Sequence, residues 1–148
     1  MIWTPRATVA TIVEKDQTFL TVSEQVKGQL VFNQPAGHIE ANEKIVDAAI
    51  RETLEETGWE VKPSYLLGIY IYRPPTSDLT FHRYCFIAKP VQHHPAHRLD
   101  PDIEATHWLS LEQLSQPSIH LRSPLVVECI KDYLAGIRYP LAVIHEDE

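Results

Sequence analysis

From Lys44 to Gly58 the chain reads KIVDAAIRETLEETG, with apolar residues at helical spacing and a glycine at the end. The pattern predicts a helix over residues 44–57, closed by Gly58 at its C-terminal cap. The last turns of that helix carry Glu52, Glu55 and Glu56. Two effects oppose acids there. Like charges three or four apart on a helix repel by about 0.2–0.5 kcal/mol per pair. The last turn also holds the negative end of the helix dipole, which favours cations. Charge clustering alone is as compatible with a solvated acidic face as with a site, so the spacing has to decide.

At about 100° per residue, Ile45, Val46, Ala49, Ile50, Thr53 and Thr57 share one arc and are expected in the core. Ala48, Glu52, Glu55 and Glu56 share the adjoining arc, with Ala48 expected to leave open space one turn before Glu52. Glu56 borders the buried arc, where a lone carboxylate is costly. Carboxylates around open space suit a hard divalent cation. Mg²⁺ takes one or two of them and keeps waters that phosphate oxygens displace.

Net charge and cysteine usage narrow the partners. A formal charge of −7 argues against polymeric nucleic acid, whose binding rests on basic patches. A small phosphorylated ligand remains compatible if a cation accompanies it. Cys85 and Cys129 are too few for a disulfide framework, which fits a reducing compartment. The N-terminus MIWTPRATVA lacks a signal-peptide pattern, and no apolar run approaches the ~20 residues of a membrane helix. A cytoplasmic protein with no membrane partner is expected.

At 148 residues, one domain spanning 1–148 is expected, and a monomer, since a chain this long can bury its own core. Residues 6–14 and 18–24 read as a β-hairpin, and 65–73 and 79–89 as a second hairpin across PPTSD. NQPAGHIEANE is a loop before the helix, and VQHHPAHRLDPDIE a long polar loop before the short strand ATHWL. Ser110 caps a small helix, and a last helix runs from about Pro124 to Ala135. The element order predicts an α+β fold with helices covering a mixed sheet.

The decisive spacing is Gly37, five residues, Glu43, seven residues, Arg51–Glu52, two residues, Glu55–Glu56, one residue, Gly58. This frame resembles the Nudix box, the signature of the Nudix hydrolases. Two positions that are usually aliphatic in that family are Thr53 and Trp59 here. Thr53 is the real departure, and its hydroxyl is expected to bond a carbonyl in the preceding turn.

The resemblance implies an α/β/α sandwich with a mixed central sheet and a loop–helix–loop that holds Mg²⁺ or Mn²⁺ against a diphosphate. Glu52, Glu55 and Glu56 would be metal ligands, with the Gly37 carbonyl as another. Arg51 would pair with Glu43 and orient the acids. The implied chemistry is attack of water on phosphorus with metal ions neutralising charge.

Within the family the general base often comes from a separate acidic loop. LDPDIEATHW offers Asp100, Asp102 and Glu104, and strand alternation would put Asp102 and Glu104 on one side. Glu55 is the alternative base, and a merely solvated acidic loop remains open. FNQPAGHIE and LRSPLVVECIKDYLAGIRYPL (121–141) resemble the NudJ-type branch of the family. That branch removes terminal phosphate from nucleoside di- and triphosphates and from pyrimidine pyrophosphates such as thiamine pyrophosphate.

Substrate contacts are expected from Arg122 in LRSP, and from Arg6, Tyr72 and Arg73. Tyr70, His82, Arg83, Tyr84 and His120 are further candidates. Alternation separates Arg83 from His82 and Tyr84, so they cannot share one pocket. HHPAH (93–97) reads as a polar loop rather than a zinc site.

Two other functions compete. One is a pyrophosphohydrolase that cleaves an internal anhydride of a nucleotide sugar, a dinucleotide or a damaged nucleotide. The other is a non-catalytic nucleotide sensor, a role that usually goes with lost box glutamates; all of them are present here.

Overall fold

The computed structural model describes residues 1–147. Its strands are β1 (Arg6–Ile12), β2 (Glu14–Lys15), β3 (Thr18–Val26), β4 (Gln29–Asn33), β5 (Ala36–His38), β6 (Trp59–Tyr72), β7 (Phe81–His93) and β8 (Ile103–Leu109). Its α-helices are α1 (Ile45–Thr57), α2 (Leu111–Leu114) and α3 (Leu125–Leu134). No helix among the described residues is long and apolar enough to cross a membrane.

One four-stranded sheet has the order β5-β1-β7-β6. It is mixed, because β1 runs parallel to β7 while β5 and β6 are antiparallel to their neighbours. Strand alternation sends Val9 and Phe86 to one face, where they pack on Ala48 and Ala49 of α1. Ala10 and Cys85 face the other way, onto Cys129 and Ile130 of α3 and onto Phe19 and Phe32 of the second sheet. The layers are therefore helix, mixed sheet and helix, as the resemblance implies. In the second sheet β3 is central, with β8 on one side and β4 and β2 on the other.

The first hairpin is not as expected. β1 does not pair with β3; only the two-residue β2 does, with Glu14 opposite Phe19. The chain changes sheets at the buried Val13, whose carbonyl still accepts from Leu20 N–H at 3.0 Å. Both strands have good local propensity. The parallel partner that claims β1, however, lies some seventy residues away, in β7.

The second hairpin forms and is longer than expected. β6 starts immediately after Gly58, and β7 runs through His93 into the segment read as loop. Pro63 breaks the strand pattern in sequence, yet it is tolerated because β6 is an edge strand and its register shifts there.

The α1 helix ends at Gly58 in the left-handed conformation, φ 75°, with Gly58 N–H on Leu54 O at 2.9 Å. Ala49, Thr53 and Thr57 are buried, and Ile45 and Val46 pack at the margin. Ala48 leaves no open space; it is fully buried against the sheet. Thr53 Oγ1 donates to Ala49 O at 2.8 Å, so its only proton is used. The 2.9 Å contact between Thr11 and Thr53 hydroxyls must then be donated by Thr11. A polar residue in an aliphatic position is thus satisfied by a second one on β1.

Ser110 forms the expected cap, accepting from Gln113 N–H at 3.1 Å while Gln113 Oε1 accepts from Ser110 N–H at 2.9 Å.

Candidate active site

Arg51, two turns from the end of α1, gathers the acids. Its Nε and Nη2 donate to the two oxygens of Glu43 at 2.7 and 2.9 Å, a bidentate pair. Nη1 donates to Glu52 at 2.8 Å and Glu55 at 3.1 Å, and Nη2 also reaches His38 O at 3.0 Å. Glu43 in turn accepts from Glu40 N–H at 3.0 Å, which ties the loop before the helix to the same guanidinium. Hydrogen bonding to Arg51 holds the Glu43 carboxyl below the usual carboxylate range, and Arg51 is correspondingly locked in its charged form.

Sheet register explains Gly37. It lies opposite Val9, on the face that packs against α1. A Cβ there would sit 2.1 Å from Glu52 Cδ and Oε2, so only glycine admits this carboxylate. Because the clash is with the end of a flexible side chain, Gly37→Ala is expected to displace Glu52 and leave the fold standing. Thermal stability should change by about 1 kcal/mol or less. Turnover should drop roughly tenfold to a hundredfold, as misplaced reacting groups generally cause. Steady-state kinetics beside a melting curve checks this, and wild-type activity in the variant contradicts it.

Burial dominates the remaining acids. The Glu52 side chain is 12% exposed, and burial raises its pKa against the pull of Arg51. Glu56 accepts from Ala36 N–H at 2.9 Å, yet burial pushes its pKa up to about 8, with the charges of Glu52, Glu24 and Asp100 adding to the effect. The sign for stability follows. Between the unfolded carboxylate pKa of about 4.3 and about 8, the folded protein holds a proton on Glu56 that the unfolded chain releases. In EDTA, stability should therefore fall as pH rises from 5 to 8. Glu56→Gln should flatten that slope, and melting curves across the range, with an unchanged slope in the variant, would refute the assignment.

The expected base loop does not keep the strand alternation read from the sequence. Asp102 and Glu104 are both exposed, and a register irregularity between Ser23 and Glu24 of β3 leaves Glu104 outside the pairing of β8. The alternation expected to align Asp102 with Glu104 is broken by this bulge. Asp100 is the loop acid tied to the helix: its N–H donates to Glu55 O at 2.9 Å, and its charge acts on both Glu52 and Glu56. A cleft of about 350 Å³ opens beside it, lined by Glu55, Arg98, Leu99, Asp100 and Pro101.

Glu24 was not anticipated. It acts on Glu56 and lies 3.6 Å from Arg122 Nε, which puts Arg122 at the margin of the acid cluster with half its side chain exposed. The LRSP segment is held by Phe32, whose N–H donates to His120 O and whose carbonyl accepts from Arg122 N–H, both at 2.8 Å.

Arg6 and Tyr72 lie across from Phe81 on neighbouring strands, on the sheet face opposite α1; Arg6 is exposed and Tyr72 half-buried. Arg73 follows β6 as an exposed residue. His82 and Tyr84 sit on the α1 side of the sheet, as alternation requires, and His93 stacks on Trp59 at 4.8 Å.

Among the described residues, no three His, Cys, Asp or Glu side chains form a ligating set in this arrangement. Arg51 Nη1 stands between Glu52 and Glu55, and Glu56 turns to Ala36 N–H. The donor chemistry nevertheless fits a hard cation: carboxylates on adjacent turns, two with pKa values raised by burial, beside a glycine that clears the backbone.

The family model described as NUDIX domain matches residues 3–128, and the chain belongs to that family. It is a Nudix hydrolase, an enzyme of phosphoric anhydrides, resembling the NudJ branch. It is 41% identical over 140 residues to phosphatase NudJ of Escherichia coli (strain K12), covering 95% of this chain and 90% of that protein. A NUDIX hydrolase from Nitrosomonas europaea is 39% identical, with a TM-score of 0.92 over 97% of this chain and 98% of that one. The crystal structure of a UDP-X diphosphatase, 19% identical, shares the fold with a TM-score of 0.74 over 95% of this chain and 68% of the other.

Proposed function

We propose that this Nudix hydrolase works as one domain spanning residues 1–148 and uses Mg²⁺, with Mn²⁺ as a substitute. It releases terminal phosphate from nucleoside tri- and diphosphates and from pyrimidine pyrophosphates such as thiamine pyrophosphate. The observation that carries the metal-dependent reading is the set Glu52, Glu55 and Glu56 on adjacent turns of α1, with Arg51 holding the first two, Glu52 lying against Gly37 and Glu56 held by Ala36 N–H. The likeness to phosphatase NudJ over nearly the whole chain supports the choice of bond.

Glu52, Glu55, Glu56 and the Gly37 carbonyl would hold the cation. Once bound, it supplies positive charge against the phosphate oxygens and makes a nearby water more acidic. The chain's own residues do the rest. Arg51 keeps its bidentate hold on Glu43 and so fixes the helix turn that presents the acids. Water attacks the terminal phosphorus, the anhydride oxygen leaves with its electron pair, and a carboxylate takes the proton of the water. That base is assigned to the 100–104 segment, from Asp102, Glu104 or the helix-tethered Asp100, with Glu55 as the alternative. Arg122, Arg6, Tyr72 and Arg73 are assigned to the substrate.

Product identification tests the choice of bond. With GDP, GTP and thiamine pyrophosphate, phosphate is expected in Mg²⁺ without added pyrophosphatase, and none in EDTA. Pyrophosphate released from GTP would instead mean internal cleavage.

A further inference from the structure

Arg83, in the middle of β7, is 6% exposed, yet no carboxylate pairs with it among the described residues; the nearby Asp132, which acts on the same cysteine pair, is taken up by Tyr70 OH at 2.7 Å. Its Nη2 donates to two amide oxygens, Gln34 Oε1 at 2.8 Å and Asn33 Oδ1 at 3.2 Å. Gln34 is fixed in orientation. Its Nε2 is committed to Val126 O at 2.6 Å, which fixes the amide with its oxygen toward Arg83. The Arg83 Nε is buried with no partner at all. A guanidinium taken from water is costly unless its charge and its donors are both met, and here Nε is left unpaired and no carboxylate forms an ion pair with it among the described residues.

Register places the residue in a specific setting. Arg83 lies opposite Thr8 on β1 and Tyr70 on β6, while Phe81, one step along on the same face, lies opposite Arg6 and Tyr72. Thr8, Tyr70, Tyr72 and Phe81 are all half-buried. The guanidinium, without an ion-pair partner, thus shares one sheet face with Tyr70, Tyr72 and Phe81. Asn33 and Gln34, which hold it, immediately precede Pro35 and the strand that carries Gly37.

The geometry points to Arg83 as an anion-binding residue whose unused donors take oxygens of a phosphate group, in the substrate or as free phosphate product. An anion fits better than a neutral acceptor because amide oxygens already satisfy part of the fork and leave it without an ion-pair partner. A planar fork matches phosphate oxygens, which a lysine ammonium does not reproduce. The proposal rests on the phosphohydrolase reading for the identity of the anion, not for the existence of the site.

The test uses inorganic phosphate on the full chain in EDTA, followed by calorimetry, so that no turnover is needed. Wild type is expected to bind phosphate. Arg83→Gln should bind at least about tenfold more weakly, with Arg83→Lys between the two. With GDP as substrate, Arg83→Lys and Arg83→Gln should raise KM about tenfold while kcat changes several-fold less. Melting temperatures should stay near that of wild type. No phosphate binding by the wild-type protein overturns the proposal. So does binding that is unchanged in Arg83→Gln, or a loss of thermal stability in both variants with KM unmoved, which would make Arg83 scaffold only.

Discussion

Replacing Glu56 or Glu52 with glutamine is expected to lower turnover at least about a hundredfold, the scale seen when even the outer partners of a metal site are removed. The fold should stand. Each substitution replaces a carboxylate that burial already disfavours as a charge with a neutral group of the same shape. Glutamine at 56 still offers an oxygen to Ala36 N–H, so the contact that orients the side chain survives. In EDTA at pH 8 the Glu56→Gln protein should melt at or above the wild-type temperature, because the wild type there begins to bear the cost of a buried charge. Steady-state rates with GDP, read beside melting curves, check both halves. Near-normal rates in both variants would remove the acids from the chemistry, and collapse of the fold would show them to be structural.

Arg51→Ala is expected to have the largest effect on stability. Arg51 is 23% exposed and answers Glu43 and Glu52, which are 15% and 12% exposed. Without it, two poorly solvated carboxylates and the His38 carbonyl lose their donor. Removing one partner of a fully buried pair costs about 3–5 kcal/mol. Partial solvent access reduces this to about 2–3 kcal/mol, a fall of roughly 4–12 °C in melting temperature for a chain of this size. The pairing with Glu55 adds little, since that side chain is 43% exposed. Glu43→Gln made on top of Arg51→Ala should cost much less than it does alone, the signature of a shared interaction. Additive costs in that cycle would show that the two residues act separately.

The part of the site legible in sequence is the part that is local. Gly37, Glu43, Arg51, the three glutamates and Gly58 lie on one loop and one helix, where helical spacing and a cap fix relative position without knowledge of the rest of the chain. The cap at Gly58 and the second hairpin follow from the same short-range logic. Long-range pairing was not legible. β1 has the alternation of a hairpin strand, and nothing local reveals that it leaves β3 to run parallel to β7. The bulge opposite Glu104 depends on how β3 meets β8, and it both spoils the alignment of Asp102 with Glu104 and accompanies Glu24 near Glu56. Ala48 looked like open space on a helical wheel because the wheel does not show how close the sheet comes.

The measurement that tests the metal-site claim most directly is anomalous diffraction from crystals of the active protein soaked in Mn²⁺. The account predicts a peak within coordination distance of carboxylate oxygens from Glu52, Glu55 and Glu56, beside the Gly37 carbonyl, with Arg51 still paired to Glu43. A peak held by other residues, or none from protein whose hydrolysis still depends on Mn²⁺, would contradict it.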